Sequence, residues 1–174
     1  LLRTDSIKLD LADMGFKPEE LEKINDAIYA TQGLVLVTGP TGSGKTTTLY
    51  SILSELNDPE RNILTAEDPI EYELEGIGQS QMKSEINYTF AKALRTFLRQ
   101  DPEVILVGEI RDHETGNIAV EAALTVHLVC STLHTNSSVE TITRLVNMGI
   151  PNYLISSSVS LVIGQRLARK VCQE

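Results

Sequence analysis

Gly39-Pro40-Thr41-Gly42-Ser43-Gly44-Lys45-Thr46 is the stretch on which the fold of this chain turns. It follows the apolar run Leu34-Val35-Leu36-Val37 and leads into Thr47-Thr48-Leu49-Tyr50-Ser51-Ile52-Leu53. The order is strand, glycine-rich loop, helix, and G-x-x-x-x-G-K-[ST] is met at every fixed position. Phosphate oxygens need converging backbone N–H groups, and a chain short of Cβ atoms can curl around them. The start of a helix adds free N–H groups and a partial positive charge. Thr41, Gly42, Ser43, Gly44 and Thr47 are therefore candidate phosphate contacts. Lys45 suits the β- and γ-phosphates, and the Thr46 hydroxyl suits Mg²⁺. A chance glycine-rich turn would give the same letters, but not the strand before and the helix after. The expected ligand is a nucleoside triphosphate with Mg²⁺.

At 174 residues the chain is long enough for one domain with a sizeable core. Hydrophobic content of 41% and charged content of 22% are those of a soluble globular protein. A net charge of −9 and a pI near 4.8 argue against nucleic acid as the main partner, because phosphate neutralisation needs a basic face. No apolar run approaches the ~20 residues that cross a bilayer. No charged segment followed by an apolar one opens the chain, so no secretory signal is expected. Cys130 and Cys172 do not make a disulfide framework, and a reducing cytoplasm is the simplest compartment. Without obvious terminal signals, the chain is expected to be a fragment of something longer.

Residues 1–17 read as a connecting segment and 18–174 as the core domain. Pro18 with Glu19 and Glu20 opens a helix. Its Leu21, Ile24 and Ile28 share one face, and it ends near Gly33. Strand one spans Leu34 to Thr38, and the helix after the phosphate loop runs to about Leu56. Asn62 to Ala66 reads as a second strand delivering Glu67-Asp68-Pro69. Ile70 to Leu74 alternates apolar and polar, an edge-strand pattern broken by Gly76 and Gly78. Thr89 caps a helix from Phe90 to Gln100. Val104 to Val107 is fully apolar, the mark of a strand buried on both faces. Asp112 caps a helix over roughly His113 to Leu124, and Leu128 to Thr132 is another buried strand. Helices follow over Val139 to Met148 and from Pro151 to about Ser158, while Val159 to Val171 has no firm assignment. Strands alternating with helices predict an α/β fold, a mainly parallel sheet flanked by helices.

Ligands in such a sheet sit at the carboxyl ends of the strands. Those ends carry the phosphate loop, Glu67-Asp68, Gly108-Glu109-Ile110-Arg111-Asp112, and Thr132-Leu133-His134-Thr135-Asn136, with His127 at the start of its strand. Hydrolysis of a triphosphate needs a carboxylate to orient and deprotonate water, oxygen ligands for Mg²⁺, and cationic groups for the transferring phosphoryl charge. Glu109 follows four apolar residues and a glycine, so it resembles a Walker B acid, with Gly108 where an aspartate is usual. A capping acid for the next helix would sit at the same place. Glu67-Asp68-Pro69 also suits a plain turn. Arg95 and Arg99 lie four apart and fit a solvated stripe as well as a carboxylate partner. Each histidine also fits a satisfied position near the core. Seven residues separate them, so zinc spacing of the HEXXH kind does not apply.

Gly39 to Tyr50, Ala66 to Tyr72, Thr89 to Pro102, Gly108 to Asp112 and Ser131 to Asn136 together resemble the secretion ATPases. More narrowly, the chain is similar to the type II secretion and type IV pilus assembly ATPases over nearly its whole length. That resemblance implies a RecA-like ATPase domain working as a cytoplasmic homo-hexamer, coupled to an inner-membrane platform protein. By position it puts Lys45 and Thr46 in Walker A, Glu67 and Asp68 in the Asp box, and Glu109 in Walker B. His127 and His134 fall in the His box, which senses the γ-phosphate state. The expected catalytic set is Glu109, Glu67 and His134, with Asp68, Arg111 and His127 as further nucleotide contacts.

The chain departs from the family pattern in places. Thr125-Val126-His127 stands where Thr-Gly-His is usual, and valine resists the positive φ that glycine allows. The family's N-terminal domain, whose arginines complete the nucleotide site, is not in these residues. Gln165 to Cys172 resembles the run into a four-cysteine zinc module, but one cysteine cannot build a closed tetrahedral site, so no zinc is expected. Rival readings are a pilus retraction motor, a DNA-translocating RecA-like motor and a non-hydrolysing nucleotide switch. The run into Cys172 speaks against the first, the −9 charge against the second, and Lys45, Thr46 and Glu109 against the third.

Overall fold

The computed structural model describes residues 10–169. Among them a six-stranded sheet has strands β1 (Gly33–Thr38), β2 (Ile63–Glu67), β3 (Gly78–Gln81), β4 (Val104–Val107), β5 (Leu128–Leu133) and β6 (Val159–Gly164). Their order across the sheet is β3-β2-β4-β5-β1-β6, and every pairing is parallel. The helices are α1 (Pro18–Ile28), α2 (Lys45–Leu56), α3 (Phe90–Phe97), α4 (His113–Ala123), α5 (Ser138–Asn147) and α6 (Asn152–Ser158). The α/β architecture expected from the alternation is present.

Apolar runs become central strands because side chains alternate across the sheet and both faces are covered. Leu34 and Leu36 of β1 point into one core, with Leu94 and Phe97 of α3 and Ala119 and Val120 of α4. Val35 and Val37 point into the other, with Ile24 and Ile28 of α1 and Leu49, Ile52 and Leu53 of α2. Of the segment read as a connector, Leu11 is buried in this second core, with Met14 and Phe16 packed against it. Thr89, Asp112 and Ser137 each accept a backbone N–H at the start of α3, α4 and α5, and so fix where those helices begin.

The edge strand was misplaced by the alternation rule. Ile70 to Leu74 is loop, and the strand beside β2 is Gly78–Gln81. The apolar members of the loop, Tyr72 and Leu74, dip into the α2-side core without a ladder. Gln79 supplies the missing backbone partners: Leu74 N–H donates to its Oε1 (2.7 Å), and its Nε2 donates to the Tyr72 carbonyl (3.2 Å). Gly78 opens the true strand opposite Leu64, whose Cδ2 occupies the space a Cβ there would take, at 2.7 Å. The unassigned stretch after Val159 supplies β6, which pairs with β1. Cys172 lies outside the described residues.

Candidate functional site

The carboxyl ends of β1, β2, β4 and β5 lie along one rim of the sheet, and a cavity of about 650 Å³ opens there. Thr41, Gly42, Gly44, Lys45, Thr46 and Thr47 form one wall, and Glu67, Asp68, Glu109 and His134 line it from neighbouring strand ends. Residues from four separate sequence boxes thus meet in one hollow, as a parallel sheet requires of them.

The phosphate loop needs its glycines. Gly39, Gly42 and Gly44 have φ of 148°, 77° and 84°, and a Cβ on Gly39 would sit 2.3 Å from the Gln165 carbonyl oxygen. Lys45 Nζ donates to the carbonyls of Gly39 (3.0 Å) and Pro40 (3.1 Å), which holds the ammonium over the loop. Partial burial lowers its pKa, and the charge of Glu109 pulls it back up. Thr46 and Thr47 are exposed at the start of α2, whereas the Ser43 hydroxyl is buried without a partner.

The two glutamates differ in what they have left to offer. Glu67 is buried, and its oxygens are taken: Tyr50 donates to Oε2, while Thr65 Oγ1 (2.5 Å) and Gln79 Nε2 (3.0 Å) donate to Oε1. Burial and the Glu67 carboxylate both push the Tyr50 phenol up, so Tyr50 stays a donor. Glu109 is also buried, but its Oε2 has no aligned hydrogen-bond donor. Its neighbours carry nitrogen: Arg111 Nε lies against Oε2, and His134 Nε2 is 3.3 Å away. Ion contact with Glu109 raises the Arg111 pKa. Gly108 precedes Glu109 where an acid is usual, and the packing gives a reason. A Cβ there would meet the Ala66 carbonyl at 3.3 Å and Phe90 Cε1 at 3.6 Å.

Two expected contacts are placed differently. Arg111 is largely exposed and borders a neighbouring groove with Asp68 and Asp112, reaching the main cavity through Glu109. His127 is not brought to the site at all. It sits at the amino end of β5, where the Gly33 N–H donates to its carbonyl (3.1 Å) and its Nδ1–H donates to Ala122 (3.2 Å). Six residues of strand at about 3.3 Å each put it roughly 20 Å from the phosphate-loop rim. Val126 does adopt the left-handed backbone, at φ 52°, that glycine would enter freely. Residues absent from the sequence-derived set are Tyr50, Thr65 and Gln79 around Glu67, and Gln165 behind the loop. Tyr50 carried a usable signal, being a polar residue among the apolar positions of α2.

The model of the family described as Type II/IV secretion system protein matches residues 1–174. The chain belongs to this family. Among type II/IV secretion proteins it is 57% identical over 172 residues to a type II secretion system protein E of Klebsiella pneumoniae. It is 55% identical over 172 residues to the type IV pilus assembly ATPase PilB of Myxococcus xanthus. Those alignments cover 99% of this chain but 35% and 30% of the relatives, so the chain spans about a third of their length. The crystal structure of the pilus retraction motor PilT with bound ADP superposes with a TM-score of 0.71 at 42% identity, covering 85% of this chain and 43% of that one. In this secretion-family chain, as the sequence predicted, a parallel α/β sheet carries the phosphate loop.

Proposed function

We propose that this chain is the nucleotide-hydrolysing core of a type II secretion or type IV pilus assembly ATPase. The reading is carried by the single cavity that joins the loop at Gly42 to Thr46 with the carboxylate of Glu109. ATP is the substrate. Mg²⁺ fits the donors present: a hydroxyl at Thr46, exposed at the start of α2, and a buried Glu109 oxygen lacking an aligned donor, both on the cavity wall. Thr46 would ligate the ion, and Glu109 would hold it through water. When bound, the ion neutralises charge on the β- and γ-phosphates.

The loop N–H groups bind the β-phosphate, and Lys45 Nζ leaves the Gly39 and Pro40 carbonyls for the γ-phosphate. Glu109 Oε2 accepts a proton as water oxygen attacks the γ-phosphorus. The bond from that phosphorus to the β-bridging oxygen breaks, giving ADP and inorganic phosphate. Arg111 Nε, against Glu109 Oε2, holds that carboxylate in place, and His134, beside the same oxygen, responds to the γ-phosphate. Asp68 borders the site as a further polar contact. Glu67 holds the β2 end in place rather than moving a proton, and His127 contacts no nucleotide within its own chain.

The full-length protein works as a cytoplasmic homo-hexamer against an inner-membrane platform protein, without nucleic acid. The names of the relatives support a secretion or pilus system as the setting. Among the described residues no helix is long and apolar enough to cross a membrane. The assembly reading draws on the sequence relatives, which include a type IV pilus assembly ATPase at 55% identity over 172 residues. The test is Glu109→Gln in the full-length protein, with binding of AMP-PNP and release of phosphate measured together. Binding within about threefold of wild type and a loss of turnover of about 10²-fold or more are expected. Undiminished turnover would overturn the assignment.

A further inference from the structure

The residue after β6, Gln165, lies far from the phosphate loop in sequence, yet its hydrogen bonds reach the loop and both elements that flank it. Its backbone N–H donates to the Thr38 carbonyl (2.9 Å), continuing the β1–β6 ladder by one step. Its side-chain Nε2 donates to the Ser43 carbonyl (2.6 Å), and its Oε1 accepts from Thr48 Oγ1 (2.8 Å). The amide has only one workable orientation, because a carbonyl oxygen cannot donate and Ser43 offers only an acceptor.

The Ser43 carbonyl and the Gly44 N–H belong to one peptide plane. Among the described residues the one cis peptide is Asp68–Pro69, so this plane is trans and the two groups point in opposite directions. Holding the carbonyl outward on Gln165 therefore turns the Gly44 N–H inward, toward the cavity that Gly44 lines. Gly44 sits in the left-handed region at φ 84°, where no side chain steers the plane. Thr48, one turn into α2, ties the same amide to the helix. We propose that Gln165 is a positioning residue that sets the Gly44 N–H for phosphate, an inference that rests on the nucleotide reading above.

A positioning role differs from a structural one in what it discriminates. Loss of the Gln165 amide should weaken ligands that reach the loop with a β-phosphate and spare those that do not. The experiment is calorimetric titration of Mg²⁺–AMP-PNP and of AMP into wild type, Gln165→Met and Gln165→Glu, below the melting temperature of each. Methionine keeps length without hydrogen bonds. Glutamate keeps the acceptor for Thr48 but sets an oxygen against the Ser43 carbonyl, and it serves if methionine fails to fold. For AMP-PNP we expect affinity to fall about tenfold or more in both variants, the scale of one hydrogen bond to a charged group. For AMP we expect a change under twofold. Equal losses for the two ligands, or a variant that binds AMP-PNP like wild type, would overturn the proposal while the nucleotide reading stands. A wild-type chain that fails to bind AMP-PNP would overturn the nucleotide reading itself.

Discussion

Replacing Tyr50 by phenylalanine removes one hydroxyl from the interior and tests how the two glutamates divide their work. Tyr50 is fully buried, and its hydroxyl donates to Glu67 Oε2 while lying 3.4 Å from the Glu71 N–H. Glu67, 3% exposed, would keep Thr65 and Gln79 on Oε1 and lose its donor on Oε2. A hydrogen bond to a charged group contributes about 1.5–3 kcal/mol net. The two surviving donors put the expected cost near the lower end, about 2 kcal/mol. No cavity term is added, because the ring stays and only an oxygen leaves. For a chain of this size about 2 kcal/mol lowers Tm by roughly 4–8 °C. Urea and thermal melts of wild type, Tyr50→Phe, Glu67→Gln and the double variant would give the coupling of the pair as well as the single losses. The cycle should show a coupling of about 1 kcal/mol or more, as expected for partners in contact. Phosphate release by Tyr50→Phe, measured in the full-length protein well below its Tm, should stay within severalfold of wild type. A stability loss under about 0.5 kcal/mol, the range of an ordinary surface change, would show that the Tyr50–Glu67 contact does not hold the β2 end. Turnover lost in Glu67→Gln as deeply as in Glu109→Gln would refute the division of roles.

Other perturbations follow from the same geometry. Val126 is 72% exposed at φ 52°, so Val126→Gly relieves backbone strain and gives up little burial. Relief of about 1–2 kcal/mol against a glycine entropy cost of about 0.5–1 kcal/mol predicts a net gain near 1 kcal/mol, read as a Tm rise of a few degrees. An unchanged or lower Tm would count against the strain. Burial pushes the Cys130 thiol up to about 12, so its folded pKa exceeds the ~8.5 of an unfolded cysteine. Between those values the unfolded chain has lost a proton that the folded chain keeps, so stability is intact below about pH 8.5 and falls as pH rises. The slope is about 1.4 kcal/mol per pH unit for this group. Raised values at Tyr50 and Tyr72 steepen the loss above pH 10. Urea midpoints between pH 7 and 11 would record it, and a flat profile would contradict the burial. In Cys172→Ser, Cys130 should stay unlabelled by a thiol reagent at pH 8 until denaturant is added.

What the chain shows at the level of its letters, and what it hides, divides along physical lines. The phosphate loop was legible because a short contiguous segment carries the whole constraint: three glycines at positive φ, then a lysine and a threonine at the start of α2. Buried strands were legible because β1, β4 and β5 are covered on both faces and so must be apolar throughout. The edge was not, since a strand with half-exposed faces has little need of an apolar code. Gly78-Gln79-Ser80-Gln81 pairs with β2 without any apolar side chain, and the alternation at Ile70 to Leu74 belongs to a loop that buries two side chains.

The histidines make the same division within one motif. His127 and His134 flank β5, and a linear reading gives them equal claims. A parallel sheet does not, because all its carboxyl ends face one way: His134 arrives beside Glu109, and His127 is left at the far rim. Gln165 is the converse case. Nothing nearby in sequence marks it, because its partners Ser43 and Thr48 come from the opposite end of the chain and meet it only once β6 has paired with β1. If β6 shifted along β1 by one residue, its side chains would exchange faces. The amide would then leave the Ser43 carbonyl, and the loop would lose the partner that turns its Gly44 N–H inward. Edge strand β6 thus reaches, through Gln165, the loop that follows its neighbour β1.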